Sequence, residues 1–243
     1  PSSGSGSRPG GVAIQVHLVM QYCDRGTLDS AIREGVFLNP QTGRPRLLWI
    51  LLTARDVARG LEYLHDSPRR MVHRDLSAAN VLLASAEAGR VDAWRHPADD
   101  RGFSALLSDF GLATAVNSNA THRTSHMRGT VPFMSPEVFE TNDITPALDV
   151  YSLGVLLFML YAGRLPYGKA SPAQIILEKV RSASELEGPG WDLDAECPRE
   201  FRALIADCTR SQRRLRETAA NVRRRLERMV DRVWEEEGGG VGS

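Results

Sequence analysis

A chain of 243 residues, 42% hydrophobic and 25% charged, is long enough to bury a core without a disulfide or metal staple. Thirty basic residues balance thirty acidic ones, so net charge steers the chain toward neither nucleic acid nor a membrane surface. Three cysteines, Cys23, Cys197 and Cys208, lack metal-ligand spacing and leave one over, which suits free thiols in a reducing, cytoplasmic compartment; the start shows no cleavable signal pattern.

Residues 1–11 are Ser, Gly, Pro, Arg and little else, a composition read as disordered linker. Apolar alternation over 12–20 predicts a strand, which residues 21–26 break. Thr27 is placed to N-cap a helix over 28–34. Beyond an Asn-, Pro- and Gly-rich loop, Leu51, Leu52, Ala54, Val57, Ala58, Leu61 and Leu64 fall at helical spacing and predict a long packed helix over 47–65. Two apolar runs, 81–83 and 105–107, read as strands, separated by a polar excursion over 85–102 that carries Trp94. The longest apolar stretch, 150–162, is interrupted by Ser152 and Gly154 and is too short to span a bilayer, so it reads as a buried core helix opened by Asp149. Pro172 and Pro198 are read as first helical residues, where a missing N–H costs nothing. An arginine-rich helix over 217–236 reads as a solvated face, since no aromatic residues are interleaved to stack on bases.

The chemistry concentrates in His73-Arg74-Asp75-Leu76-Ser77-Ala78-Ala79-Asn80 and in Asp109-Phe110-Gly111 downstream. Each set adjoins one of the two apolar strands, so two carboxylates and an amide are presented from strand ends. Phosphoryl transfer asks a protein for one carboxylate to orient the attacking hydroxyl, another to hold a metal, and an amide for a second metal. Singly, Asp75 reads as a turn acid, Asp109 as a strand-end residue and His73 as a core histidine. A four-residue pattern such as His-Arg-Asp followed by Asn five positions after the Asp arises at about 10⁻⁵ per position at average residue usage. Further motifs follow in order: Gly129-Thr130-Val131-Pro132-Phe133-Met134-Ser135-Pro136-Glu137, then Asp149-Val150-Tyr151-Ser152-Leu153-Gly154.

Together these motifs resemble the C-terminal lobe and hinge of a protein kinase, and the hinge and Asp149 stretches are similar to the tyrosine-kinase-like group of serine/threonine kinases. The resemblance implies an α+β protein-kinase-like fold, mainly the helical C-terminal lobe with a remnant of the N-lobe sheet. It divides the chain into a linker at 1–11, last N-lobe strands and hinge at 12–26, the C-terminal lobe at 27–230 and a frayed tail at 231–243. It implies an ATP- and Mg²⁺-dependent transfer to protein hydroxyls, with Asp75, Asn80, Arg74 and His73 in the catalytic loop and Asn80 and Asp109 holding metal. Met20 as gatekeeper, with Gln21, Cys23 and Leu82, would border the adenine. Phe110, Gly111 and Thr130 would have structural or regulatory roles, Thr121, Thr124 and Ser125 would be phosphorylation candidates, Asp149 would brace the catalytic loop, and Glu137 would pair with Arg216. The partners implied are ATP and a protein substrate, without nucleic acid, in a cytoplasmic protein or the intracellular part of a longer membrane protein.

Two departures stand against a fully equipped kinase. No glycine-rich loop or lysine-bearing strand lies ahead of residue 12, and Gln15 stands in a Val-Ala-Ile-Gln run that leads directly into the hinge. Ser77 occupies the place where the family has a lysine on the transferring phosphoryl. A partial catalytic domain and a catalytically impaired, pseudokinase-like interaction module therefore both remain open.

Overall fold

The computed structural model describes residues 17, 19–66, 68, 70–85, 96–115, 129–140, 144–182 and 191–237. Helix α1 (Leu28–Arg33) starts at Thr27, whose hydroxyl accepts from the Ser30 amide at 3.1 Å, as the sequence indicated. Helix α2 (Leu47–Asp66) follows, then the short strand β1 (Met71–Val72), β2 (Val81–Ser85), β3 (Phe103–Leu107) and β4 (Thr114–Ala115). The remaining helices are α3 (Glu137–Glu140), α4 (Pro146–Ala162), α5 (Pro172–Ser182), α6 (Arg199–Cys208) and α7 (Ala219–Glu236). The strands form two small antiparallel pairs, β1 with β4 and β2 with β3, so the fold is α+β and dominated by helices.

Helix α4 is the spine of the core. Every residue from Leu148 to Tyr161 is buried, and an apolar side chain removed from water here stabilises the fold by roughly 1.5–3 kcal/mol. Helices α2 and α6 pack on it. Gly154 is what lets α6 approach: a Cβ there would lie 2.5 Å from Thr209 Cγ2 and 2.8 Å from Cys208 Cβ. Gly163, at φ 66°, ends the helix and returns its N–H to the Met159 carbonyl.

Several boundaries differ from the sequence expectations, each for a local reason. The α4 helix begins at Pro146 with Thr145 at its N-cap, so Asp149 lies within the first turn and does not cap it. Pro198 is the N-cap of α6, with Arg199 the first helical residue. Thr218 accepts from the Asn221 amide and opens α7 two residues later than expected. That helix continues through Glu236, past the tail boundary set at residue 231, because Val230 is buried and Val233 packs against the core. Val19 and Met20 form no strand, and none of the described residues pairs with them; an isolated extended segment has no partner for its backbone groups. Trp94 lies outside the described residues.

A charged joint ties α3 to the turn before α7. Arg216, whose side chain has no exposed area, meets Glu137 through two guanidinium–carboxylate bonds of 2.5 and 2.7 Å. Its other donors reach the carbonyls of Arg210, Ala147 and Ser211 at 2.6, 3.0 and 3.0 Å, so each of the five N–H groups has an acceptor. This is the Glu137–Arg216 pair expected from the sequence. Replacing Glu137 with alanine strands the buried cation, and urea unfolding should show a loss of about 3–5 kcal/mol.

Candidate active site

Strand pairing places the two metal-binding candidates side by side. Val81 is opposite Leu107, so Asn80 and Ser108 are the next residues out on the same end of the ladder. The Ser108 amide and hydroxyl both donate to the Asn80 carbonyl at 2.9 Å. Asp109 comes directly after, two residues beyond β3, in a left-handed conformation with φ 56°, and its Oδ1 accepts from the Gly111 amide at 3.2 Å. An acid tolerates that backbone region because its short polar chain bonds locally. Its carboxylate is exposed at the surface of the site.

Asn80 reaches across to the catalytic loop. Its side-chain nitrogen donates to the Asp75 carbonyl at 2.8 Å and to Asp75 Oδ2 at 3.0 Å. The other carboxylate oxygen, Oδ1, accepts from the amide and hydroxyl of Thr130 at 3.2 and 3.4 Å. Asp75 thus sits between the hairpin end and the loop that begins at Gly129. Gly129 has φ 128° there, and a Cβ on it would come within 2.9 Å of Met134 Cε and 3.4 Å of Asp75 Oδ1, so only glycine allows this approach.

The loop's backbone is held from beneath by Asp149. Its Oδ2 accepts from the His73 amide and lies 2.8 Å from His65 Nε2, while Oδ1 accepts from the Arg74 amide at 2.9 Å. Both bonded amides belong to a tight segment in which Arg74 has φ 70°. His73 is fully buried, donates from Nε2 to the Ser108 carbonyl at 2.9 Å and accepts at Nδ1 from the Asp75 amide at 3.4 Å. Donating from one nitrogen and accepting at the other requires the neutral ring protonated on Nε2. The Phe110 ring lies 5.2 Å from the His73 ring. Arg74 directs its guanidinium to the Leu112 carbonyl and the Thr114 hydroxyl, where the segment after Gly111 begins.

The hinge candidates are only partly assembled. Residues 24–27 run antiparallel to β2: Arg25 donates to the Leu83 carbonyl, Leu83 to the Gly26 carbonyl, and Asp24 accepts from the Ser85 amide at 2.7 Å. That brings Cys23 and half-buried Leu82 to one edge. Met20, 75% exposed, and Gln21, also exposed, are covered by no described element. Thr121, Thr124 and Ser125 fall outside the described residues.

The donor chemistry fits Mg²⁺. Asp109 and Asn80 offer hard oxygens, and among the described residues no three Asp, Glu, His or Cys side chains gather into an all-protein cage. A cation here would rest on two side chains, with phosphate oxygens and water completing the shell, which is the usual way Mg²⁺ is bound. Ser77 is 2% exposed and its hydroxyl has no hydrogen-bond partner among the described residues, so this position directs no charge into the site.

Two features escaped sequence reasoning. Arg101, with no exposed side-chain area, binds Asp99, Asp56 and the Thr53 hydroxyl and so pins the stretch before β3 onto α2. Lys179 and Ser152 hold the loop after Gly129. A signal existed for Lys179, which lies four residues after buried Ile175 on the inward stripe of α5.

A sequence model of the family described as "Protein tyrosine and serine/threonine kinase" matches residues 10–226. The leucine-rich repeat receptor-like serine/threonine/tyrosine-protein kinase SOBIR1 of Arabidopsis thaliana is 34% identical over 185 residues, covering 73% of this chain and 26% of that protein. The LRR receptor-like serine/threonine-protein kinase ER1 of Oryza sativa subsp. japonica is 29% identical over 222 residues, 88% of this chain and 21% of its own length. The serine/threonine-protein kinase VIK of Arabidopsis thaliana is 26% identical over 217 residues, 88% of this chain and 44% of its own. The chain thus spans less than half the length of each of these relatives. With a match over most of its residues and the catalytic-loop geometry above, the chain belongs to the protein tyrosine and serine/threonine kinase family.

Proposed function

We propose that the chain carries the phosphoryl-transfer site of a serine/threonine protein kinase that uses ATP and Mg²⁺. The observation that carries this reading is the shared Asp75 carboxylate, bound on one oxygen by Asn80 and on the other by Thr130. In this reading Asp75 orients and accepts the proton of the incoming hydroxyl, from a position fixed by both neighbours. Asn80 and Asp109 supply the oxygen donors for metal. Magnesium bound with ATP would neutralise charge on the phosphates. Thr130, whose hydroxyl faces the same carboxylate, supports serine or threonine as the acceptor. The names of the relatives above, all serine/threonine kinases with one also named for tyrosine, point the same way.

Cys23 and Leu82 border the adenine side in this proposal, with Met20 and Gln21 joining once the hinge is covered. Arg74 links the catalytic loop to the segment that carries Thr121, Thr124 and Ser125, so a phosphate on one of those hydroxyls would act through the same guanidinium. The three free thiols support a reducing, cytoplasmic setting, and the receptor-like names of two relatives support the intracellular portion of a larger protein.

One observation favours a second reading, a binding module of reduced activity: buried Ser77 provides no cation for the transferring group. The two readings separate in one assay, transfer of labelled phosphate from ATP to a generic basic protein with Mg²⁺. The kinase reading expects phosphoserine and phosphothreonine, and a fall of about 10²–10⁴-fold in rate for Asp75→Ala. Nucleotide binding without transfer would favour the module, and transfer that survives Asp75→Ala would overturn the assignment. Asp149→Ala should lower unfolding free energy by about 3 kcal/mol, since the His73 and Arg74 amides lose a charged acceptor; faster hydrogen exchange at those two amides is the check.

A further inference from the structure

The loop that touches Asp75 is fastened at three consecutive backbone carbonyls. Residues Val131–Phe133 form one turn of 3₁₀ helix immediately after Thr130. The Lys179 amine, on α5, donates to the Pro132 carbonyl at 2.9 Å and, by a shorter contact, to the Met134 carbonyl. Between them, the Phe133 carbonyl accepts from Ser152 Oγ of α4 at 2.8 Å. Lys179 is 2% exposed, and its nitrogen lies 4.7 Å from the Tyr151 ring centroid and 5.1 Å from that of Tyr167. Burying a lysine this deeply is costly, and the two carbonyl bonds and the tyrosine rings are what offset that cost.

We propose that Lys179 is a positioning residue for substrate docking: its amine, bracketed by two tyrosine rings, fixes the backbone of 132–134 and thereby the placement of Thr130 against Asp75. The inference rests on the kinase reading for its consequence and on geometry for its mechanism. The path is short. Phe133 and Met134 return their amides to the Thr130 and Val131 carbonyls at 2.8 and 3.2 Å, so the anchored carbonyls and Thr130 belong to one rigid turn. Lys179 does not face the site itself, and it acts only through this turn. An incoming peptide laid along residues 129–134 would therefore meet a surface set by α5.

The anchor also responds to pH. Burial pushes the Lys179 ammonium down to about 7 from 10.5, with Arg216 acting in the same direction and Glu178 and Glu137 opposing it. The facing Tyr151 and Tyr167 hydroxyls are themselves pushed up by burial and stay protonated; the loop contributes only carbonyls. A lysine freed to solvent binds its proton more tightly than the buried one. Opening of the turn is therefore favoured as pH falls from 10.5 toward 7 and levels off below, and the closed turn gains on the alkaline side.

The test compares the chain with Lys179→Met and Lys179→Gln by hydrogen exchange and steady-state kinetics. After correction for intrinsic rates, exchange at the Phe133 and Met134 amides should rise about tenfold in Lys179→Met, with β2 and β3 amides unchanged. The wild-type protection should grow between pH 7 and 9, and that slope should vanish in the variant. KM for a peptide substrate should rise several-fold while KM for ATP stays put, a split that general destabilisation would not give. Lys179→Gln, which keeps amide donors, should lie between the two and serves if Lys179→Met fails to fold. Unchanged exchange at 133–134, a retained pH slope, or equal rises in both KM values would overturn the proposal. If the wild-type chain transfers no phosphate, the kinase reading fails while the exchange data still decide the anchor.

Discussion

The Asp75 loop and the loop after Gly129 are both fastened to the first two turns of one helix. Asp149 and Ser152 are three residues apart on α4 and so share a face. The first takes the amides of His73 and Arg74, and the second donates to the carbonyl of Phe133. Because the body of α4 is buried throughout, these turns cannot shift without disturbing the core. Placement of Asp75 relative to Thr130 therefore inherits the rigidity of packed side chains, although both residues lie on loops. The Ala147 carbonyl in the first of these turns receives Arg216, which adds the Glu137 joint to the same foundation.

Around these turns the polar groups divide into two kinds. Asp149, Arg216, Arg101 and Lys179 are buried and fully engaged with backbone or with opposite charge, and their work is geometric. Asp75 is half-buried and Asp109 exposed, and their bonds leave them at the edge of the site where a ligand can reach. Buried charges are costly, so their concentration beneath two loops indicates where fixed geometry matters most. Ser77 contrasts with these groups: its buried hydroxyl has no hydrogen-bond partner among the described residues.

Much of this was legible in the sequence. The helical spacing of Leu51, Leu61 and their neighbours gave α2, and the long apolar run, broken only by Ser152 and Gly154, gave α4, because burial on all sides leaves a signature that needs no tertiary information. The order of His73, Asp75, Asn80 and Asp109 brought the candidate residues to one place, since they lie on short turns at the ends of adjacent strands. The Glu137–Arg216 pair followed from the family resemblance. What local pattern withheld was long-range: from its neighbours alone Asp149 reads as a helix cap, and only the family resemblance tied it to the loop whose two bonded amides are 76 and 75 residues away. Lys179's place on the inward stripe of α5 hinted at burial, but its acceptors are backbone carbonyls, which carry no residue identity, so its contacts were not readable. Met20, expected within a strand over 12–20, is 75% exposed and lies in no strand.

In the proposed reading, Asn80 and Asp109 act together as the oxygen donors of a metal–nucleotide site. Titration with ATP and Mn²⁺, a paramagnetic substitute accepted by the same hard oxygen ligands, reads this directly through nuclear relaxation. Selective broadening of the amides of Asn80, Asp109 and Gly111, abolished by Asp109→Asn and absent from α7, is the result expected. Broadening that is spread over the surface, or unchanged in Asp109→Asn, would contradict it.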